Sequence, residues 1–366
     1  MLAAVTRSPG ELSMDDVPEP GPPGHGEVVV RPEAVGICGS DIHLFTGELA
    51  ALSGTRHFYP RIQGHELCAV IDAVGPACPP GLAAGDRVAV WPLLPCGGCY
   101  PCRSGQPNAC VSLQLVGVHR DGGLQQRLTI PATQVFGIGD LDPSCGAFVE
   151  PESVAVHAVR RGGLRLPGEP AGDARGSSPS GPGGPGGRQA VIFGAGPIGL
   201  ATVIAATVAG ARVMVLDPVP SRRDLASGAG AERALWGTPA ELLEAAREWT
   251  SGEGPPLIFD TTGDPGVLPS AIEMVSSAGR IVVVGMSAAT APVRPGAFPE
   301  KEIDVTGSSC ATAGDFAAAV ALVTANRRAV TAMLSHRFPL TRARDAVEFV
   351  MSRPPGAVKV LVTVAD

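Results

Sequence analysis

A glycine-rich turn between an apolar strand and a helix constrains the fold of this chain more than any other feature. Gly194, Gly196 and Gly199 directly follow a predicted strand over residues 189–193, at the start of a predicted helix over residues 198–209. The first glycine permits a tight turn, the second lets the backbone approach a pyrophosphate, and the third lets helix and strand pack closely. Predicted strands and helices alternate over the segments that follow, which predicts a doubly wound parallel sheet.

The glycine turn and the next strand ends are candidate positions for a dinucleotide, because a helix N-terminus attracts phosphate. Asp217 ends the next predicted strand, 21 residues after Gly196, and its carboxylate suits the ribose hydroxyls of NAD. Arg222 follows closely and would instead favour NADP, so NAD is preferred and NADP remains the alternative. The predicted cofactor-binding residues are Gly194, Gly196, Pro197, Ile198, Gly199, Asp217, Arg222, Thr262, Gly263, Val284 and Gly285.

Length and charge limit what the rest of the molecule can be. The 366 residues suggest about two domains, and the net charge of −7 argues against nucleic acid or an anionic membrane as partner. Residues 190–211 carry no charge and are long enough to cross a bilayer, but their central glycines and proline favour a buried strand, turn and helix. Residues 1–150 are predicted to form short β segments and loops. In residues 167–188, 16 of 22 residues are Gly, Pro or Ser, which predicts a mobile surface loop.

Four of the nine cysteines lie within fifteen residues and form a candidate metal lobe over residues 92–112: Cys96, Cys99, Cys102 and Cys110. Four thiolates suit a closed, tetrahedral structural zinc site. Similar spacing occurs in iron–sulfur proteins, but the seven-residue gap before the last cysteine, and the lack of a proline after it, favour zinc. The N-terminus lacks a signal-peptide pattern and clustered cysteines point to metal in a reducing compartment, so we expect a cytoplasmic protein.

A second group of metal-binding residue types is dispersed along the chain. Cys38 lies in the segment GICGSDIH at residues 36–43, His65 and Glu66 follow Gly64, and Glu150 lies in the segment VEPES. Cys, His and carboxylate side chains all bind zinc, and three protein ligands with a water are typical of a catalytic site. Spacing alone supports this second site only weakly.

Taken together, these motifs resemble the zinc-dependent medium-chain dehydrogenases, over nearly the whole chain and in the order of that family. The resemblance implies an α/β fold of two domains. A GroES-like β-barrel catalytic domain would comprise residues 1–152 and 298–366, and a Rossmann domain with a doubly wound parallel sheet would comprise residues 153–297. It also implies a homodimer or homotetramer that acts on a small-molecule alcohol.

The same resemblance implies a role for each residue of the dispersed group. Cys38 and His65 would bind the catalytic zinc, and Glu66 or Glu150 would be the remaining protein ligand, exchanging or sharing coordination with a water. Zinc would act as a Lewis acid on the substrate hydroxyl. Ser40 and His43 match a relay that carries the proton to solvent while hydride passes to C4 of the nicotinamide.

Further segments resemble the branch of the family that acts on polyols and sugar acids, such as galactonate or gulonate 5-dehydrogenases. Cys310 stands where that branch commonly has an arginine, a residue suited to carboxylates. This difference favours a neutral or amino-bearing substrate, such as a cyclitol. The expected activity is hydride transfer between a secondary alcohol and NAD. The alternatives are a threonine-type amino-alcohol dehydrogenase and a nucleotide-binding homologue without catalysis.

Overall fold

The chain folds into two compact units. A computed structural model describes residues 1–49, 58–169 and 188–364. The first unit, which we call the split unit, comprises Met1–Glu150 and Thr312–Asp366, and the second, the central unit, comprises Pro151–Ala311. Most of the loop predicted over residues 167–188 lies outside the described residues. Among the helices described, none combines the length and apolarity needed to cross a membrane.

The secondary structure elements are numbered here in chain order. The strands are β1 (Leu2–Ser8), β2 (Glu11–Asp16), β3 (Glu27–Ile37), β4 (Arg61–Ile62), β5 (Glu66–Val74), β6 (Arg87–Val90), β7 (Leu93–Leu94), β8 (Gln114–Leu115), β9 (Leu128–Pro131), β10 (Val135–Gly137), β11 (Arg188–Phe193), β12 (Ala211–Leu216), β13 (Arg233–Leu235), β14 (Leu257–Asp260), β15 (Arg280–Val283), β16 (Asp304–Gly307), β17 (Leu334–Pro339) and β18 (Lys359–Thr363). The helices are α1 (Gly39–Thr46), α2 (Tyr100–Arg103), α3 (Pro143–Ala147), α4 (Val149–Arg161), α5 (Pro197–Val208), α6 (Pro220–Gly228), α7 (Pro239–Trp249), α8 (Val267–Met274), α9 (Ala297–Lys301), α10 (Ala313–Ala325), α11 (Arg327–Met333) and α12 (Ala343–Met351).

A seven-stranded sheet forms the centre of the split unit. Its strand order is β10-β6-β5-β3-β18-β17, with β9 also paired to β3. β5 and β18 lie antiparallel on opposite edges of β3, with Gly36 opposite Glu66 and Ile37 opposite Val360. Val30, Val35, Leu67 and Val362 contribute to the apolar core beneath these strands. Within the described residues this sheet ends at β10 and at β17, so it is open where a closed barrel was expected.

The central unit contains a six-stranded parallel sheet with the order β13-β12-β11-β14-β15-β16. Ala190, Val191 and Ile192 of β11 are completely buried, as expected for an inner strand of a parallel sheet. The chain first adds β12 and β13 on one side of β11 and then adds β14 to β16 on its other side. This order confirms the doubly wound parallel sheet, whose reversal point lies between β11 and β14.

The edge of this sheet lies further along the chain than the sequence suggested. β16 pairs in parallel with β15, from Asp304 opposite Arg280 to Gly307 opposite Val283. Residues 298–311, expected to return to the first domain, therefore belong to the central unit, which ends at Ala311. Three of the four residues of β16 are exposed and the fourth is half-buried, so this edge strand lacks the apolar run that marked the inner strands.

Candidate functional site

Two neighbouring strands in the middle of the seven-stranded sheet, β3 and β5, bring three of the four dispersed candidate ligands together. β3 ends at Ile37 and α1 begins at Gly39, so Cys38 is the N-cap between them, with extended backbone at φ −103° and ψ 161°. Glu66 is the first residue of β5, directly after His65. Because β3 and β5 are antiparallel neighbours, the end of one strand lies beside the start of the other.

Three of these side chains form a compact group that we call the catalytic cluster: Cys38, His65 and Glu66. Their ligand atoms all lie within 4.8 Å of one another. His65 is 4% exposed and Glu66 is completely buried. In a tetrahedral zinc site, bonds of 2.0–2.3 Å place the ligand atoms about 3.3–3.8 Å apart. One thiol, one imidazole and one carboxylate within 4.8 Å of one another are close enough to hold one zinc ion after small shifts, with a fourth position left for another ligand.

His65 is oriented by a residue that sequence reasoning did not assign. The buried Asp41 places Oδ1 3.5 Å from Nδ1 of His65, and its Oδ2 accepts the backbone N–H of Cys38 at 2.9 Å. Burial alone would lower the pKa of His65, but Asp41 and Cys38 raise it well above its ordinary value. A carboxylate behind a histidine ring is the common arrangement that orients a metal ligand. The only sequence signal was the acidic position within the segment at residues 36–43.

Glu150, the other candidate ligand, is buried but lies outside the catalytic cluster. Burial raises its pKa to about 7, with His65 lowering the pKa and Glu66 raising it again. Glu150 therefore shares the electrostatic environment of the cluster. The structure places Glu66, and not Glu150, within the group of ligand atoms that are close enough to hold one ion together.

A second residue that sequence reasoning missed is Lys359 of β18, which contacts Glu66. Its Nζ lies 2.7 Å from Oε1 and 2.5 Å from Oε2 of Glu66. The two residues are 293 positions apart in the chain, so no local pattern links them. The only signal was that Lys359 is one of just two lysines in the sequence, in an apolar strand.

The predicted relay residues lie three positions apart on α1. Ser40 Oγ is 3.4 Å from Nε2 of His65, which places its hydroxyl beside the catalytic cluster. The His43 side chain is 34% exposed, and its Nδ1 lies 2.8 Å from Oε2 of the more exposed Glu48. Ser40 therefore contacts the cluster, whereas His43 is accessible to solvent.

The four clustered cysteines form a second group whose sulfur atoms all lie within 4.8 Å of one another. The Sγ of Cys99 is 3.4 Å from that of Cys102 and 3.7 Å from that of Cys110. These separations are far from a disulfide bond of about 2.05 Å but close to the ~3.8 Å between thiolates on one zinc. Backbone hydrogen bonds at Cys102 and Val111 lower the pKa of Cys99 to about 6. Desolvation, followed by hydrogen bonds to Cys99 and Cys110, raises the pKa of Cys102 to about 12. A bound dication would allow all four thiols, Cys96 included, to ionise.

The glycine turn of the central unit has the geometry that its spacing predicted. Gly194 adopts φ +92°, in the left-handed region that favours glycine. A Cβ atom on Gly199 would lie 2.0 Å from the carbonyl oxygen of Gly194, so only glycine permits this contact of helix and strand. Among the described residues, no atom lies within 4 Å of a Cβ placed on Gly196. Pro197 and Ile198 form the first turn of α5 above this open position.

Asp217 follows β12 and is fixed beside the glycine turn. Its Oδ2 accepts the backbone N–H of Ala195 at 2.7 Å, and its Oδ1 accepts that of Val219 at 2.8 Å. The carboxylate is 3% exposed. Arg222 lies in the first half of α6, which begins three residues after Asp217. The acidic residue predicted to bind ribose is therefore held at the carboxyl edge of the sheet next to the turn.

The remaining predicted cofactor residues lie at the ends of β14 and β15. Thr262 donates from its backbone N–H and its hydroxyl to Oδ1 of Asp260, at 3.0 and 2.7 Å. The amides of Val284 and Gly285 donate to the Asp260 carbonyl at 2.8 and 3.0 Å. A Cβ on Gly285 would lie 2.1 Å from the nitrogen of Gly263. The structure thus brings these four positions together at the same edge of the sheet.

Family models match most of the chain. Residues 24–140 match the alcohol dehydrogenase GroES-like domain, and residues 197–325 match the zinc-binding dehydrogenase domain. The first match contains the catalytic cluster and the four cysteines, and the second begins inside the glycine turn.

Similar proteins agree with these matches. The L-galactonate-5-dehydrogenase of Escherichia coli K12 is 32% identical over 327 residues, 89% of this chain and 88% of that protein. The L-threonine 3-dehydrogenase of Pyrococcus horikoshii is 31% identical over 291 residues, 78% of this chain and 76% of that protein. A crystal structure described as a short chain alcohol dehydrogenase (rspB) from Escherichia coli CFT073, complexed with NADH, superposes with a TM-score of 0.83 at 29% identity. The match covers 100% of this chain and 99% of that one. This chain belongs to the zinc-dependent medium-chain family of alcohol dehydrogenases.

Proposed function

We propose that this protein transfers hydride between a secondary alcohol and NAD, and that the alcohol is a polyol, a sugar acid or a cyclitol. The observation that carries the proposal is the catalytic cluster of Cys38, His65 and Glu66, with Asp41 directly behind His65. The relatives named for galactonate and threonine oxidation support a hydroxyl-bearing substrate. The complex of a similar structure with NADH supports the choice of cofactor.

Cys38 and His65 would hold the catalytic zinc together with Glu66 or Glu150, and the four cysteines of residues 92–112 would hold a structural zinc. Bound at the cluster, zinc supplies Lewis acidity that lowers the pKa of a coordinated hydroxyl toward neutrality. Asp41 keeps the Nε2 side of His65 directed toward Ser40. Glu150 and Glu66 lie close enough to influence one another, which supports an exchange of coordination between them.

The proton and the hydride leave the alcohol by separate routes. Ser40 Oγ would accept the hydroxyl proton as its own proton passes on along the relay, and His43, whose ring is partly exposed, would release a proton to solvent. Bound NAD would supply the nicotinamide C4 that receives the hydride from the alcohol carbon, so that alcohol and NAD⁺ would give ketone, NADH and one proton. The Asp217 carboxylate, beside the glycine turn, would accept hydrogen bonds from the ribose hydroxyls of NAD.

The choice of substrate within this class rests on Cys310. A cysteine has no charge with which to pair a carboxylate, so a neutral or amino-bearing alcohol is favoured over a sugar acid. We also propose a homodimer or homotetramer. The cytoplasm is proposed as the location because clustered thiols persist in a reducing compartment.

The test is reduction of NAD and NADP with a panel of polyols, sugar acids, aminocyclitols, butanediol and threonine. We expect NAD reduction with at least one alcohol, and we expect His65→Ala to lower kcat by about 10³-fold or more, since Lewis acidity contributes several kcal/mol. Circular dichroism should show that this variant keeps its fold.

Cys99→Ser provides the contrast, because it should lower the melting temperature and remove the structural zinc while the catalytic cluster is left intact. Full activity of His65→Ala would contradict the mechanism. A zinc-loaded wild-type protein that reduces neither cofactor with any of these alcohols would contradict the function.

A further inference from the structure

The carboxylate of Glu66 is held by a lysine that is itself fully enclosed. The side chains of Lys359 and Glu66 are 2% and 1% exposed. The ammonium group donates to both carboxylate oxygens, at 2.7 and 2.5 Å, and to the carbonyl oxygen of Ile37 at 3.2 Å. All three of its N–H groups therefore have partners, and two of them are committed to a residue of the catalytic cluster.

Three adjacent strands create this arrangement. Lys359 is the first residue of β18, Ile37 is the last residue of β3, and Glu66 is the first residue of β5. β18 and β5 lie on opposite edges of β3. The long lysine side chain crosses this row, and the position opposite Glu66 on β3 is Gly36, which leaves room for the carboxylate.

The charges of the site call for a cation at this position. A zinc dication is balanced by the Cys38 thiolate and one carboxylate. Three carboxylates are buried around the site, those of Asp41, Glu66 and Glu150, so the set carries excess negative charge. Burial lowers the pKa of Lys359, but Glu66, Cys38 and Glu150 raise it above its ordinary value, so the ammonium lies within the field of all three groups. A buried ion pair adds little net stability compared with an apolar pair. Stability is therefore a weak reason for a lysine here, whereas charge balance beside a metal is a specific one.

We propose that Lys359 is a positioning residue for the catalytic zinc, which fixes the Glu66 carboxylate beside Cys38 and His65 and offsets the excess negative charge of the ligand set. This inference rests on the zinc site of the proposed function. Lys359 acts through Glu66 and need not contact metal, substrate or cofactor.

The test compares full-length, zinc-loaded wild-type protein with Lys359→Met, Lys359→Arg, Glu66→Gln and the double variant Glu66→Gln/Lys359→Met. The measured quantities are the rate of catalytic zinc release to a chromophoric chelator, the visible absorption of the cobalt-substituted site, and kcat and KM. We expect Lys359→Met to release zinc at least about tenfold faster, as for other residues that orient metal ligands, and to shift the cobalt bands. Lys359→Arg should restore slow release. In the Glu66→Gln background, loss of Lys359 should change neither quantity.

Lys301→Met is the matched control, because Lys301 is the other lysine of the chain. Its Nζ donates to carbonyl oxygens at the end of α8, those of Ile272, Glu273 and Val275, at 2.7–2.9 Å. Removing it should lower stability without changing zinc release, which separates general destabilisation from a specific effect on the site.

Wild-type zinc release and cobalt bands in folded Lys359→Met would overturn the proposal. Faster zinc release from the double variant than from Glu66→Gln would also overturn the proposal. If Lys359→Met alone does not fold, this second comparison tests whether Lys359 acts through Glu66. Failure of the proposed function is a separate outcome, since it would appear as a wild-type protein that retains zinc but oxidises no alcohol.

Discussion

Gly36 is the residue at which a missing side chain matters most for the candidate site. A Cβ atom at this position would lie 1.9 Å from Oε2 and 3.1 Å from Cβ of Glu66. Real Cβ atoms do not approach an oxygen this closely, so any larger residue at position 36 must displace the Glu66 carboxylate. Lys359 donates hydrogen bonds to both oxygens of the same carboxylate, which further restricts the movement of Glu66.

Gly36→Ala should therefore weaken the binding of the catalytic zinc and lower turnover about 10–100-fold, the range for residues that orient metal ligands. The structural zinc should remain bound, because the four cysteines are unchanged. Metal analysis of the purified variant, together with kcat, checks this. Gly39→Ala is the matched control, since the described residues place no atom within 4 Å of a Cβ there. Two zinc ions and normal turnover in Gly36→Ala would contradict the expected role.

At the scale of strands and helices, three polar side chains connect elements of the central unit: Arg212, Glu232 and Trp249. Arg212 on β12 donates to both carboxylate oxygens of Glu232, at 2.7 and 2.6 Å. Glu232 directly precedes β13 in the chain. The indole of Trp249, at the end of α7, donates to the same carboxylate at 3.0 Å. Arg212 also lies over the Trp249 ring, 5.4 Å from its centre. The Glu232 carboxylate thus connects α7 with strands β12 and β13 of the sheet.

The Arg212 hydrogen bonds, followed by that of Trp249, lower the pKa of Glu232 to about 2. A carboxyl group whose pKa is lower in the folded state than the ~4.3 of the unfolded chain adds stability above pH ~4.3. That contribution is lost as the pH falls toward 2. Because Glu232 is 39% exposed, solvent screening limits the gain to about 0.5–1 kcal/mol.

Wild type should therefore exceed Glu232→Gln in free energy of unfolding at pH 6, and the difference should shrink between pH 4.5 and pH 2.5. Urea unfolding of both proteins at each pH measures this. Glu244→Gln changes an exposed glutamate on α7 and should show no such trend. A difference that stays constant with pH would mean that the carboxylate charge of Glu232 is not what stabilises these elements.

Patterns within a short segment of sequence predicted most strands, turns and helices, whereas they did not predict which strands pair over long range. The glycine turn and the apolar run of β11 could be read directly, because both the turn and the strand depend on neighbouring residues. β16 was assigned to the other domain, because its exposed residues carry no apolar signal. The contact of Lys359 with Glu66 arises from strand order, which a single sequence does not encode locally. For the same reason the spacing left Glu66 and Glu150 as equal candidates.

At the scale of the whole molecule, the candidate metal-binding residues and the candidate cofactor-binding residues belong to different compact units. The catalytic cluster and the four cysteines belong to the split unit, whereas the glycine turn and Asp217 belong to the central unit. Each unit has its own sheet and its own apolar core. Groups that would recognise the dinucleotide phosphates and ribose are therefore built without any residue of the metal sites.

Removal of the catalytic zinc by a chelator should abolish turnover but change the affinity for NADH by less than about threefold, below 1 kcal/mol. Fluorescence titration of NADH into treated and untreated protein measures this. Re-addition of zinc serves as the control and should restore kcat. A loss of NADH affinity in proportion to the zinc removed would mean that the two units do not bind their ligands independently.

The position of β18 within its sheet also sets the order in which the molecule can be assembled during translation. β18 lies between β3 and β17, yet Lys359 is 322 residues later in the chain than Ile37. At about 5–20 residues per second, the ribosome needs roughly 20–60 s to travel between them. For that time the part of β3 that pairs with β18, Ala34–Ile37, has an unpaired edge of the kind that allows mispairing. Glu66 also lacks its cationic partner during that time. The central unit emerges in the interval, so the metal centre near the beginning of the chain is completed only after the nucleotide-binding half has been synthesised.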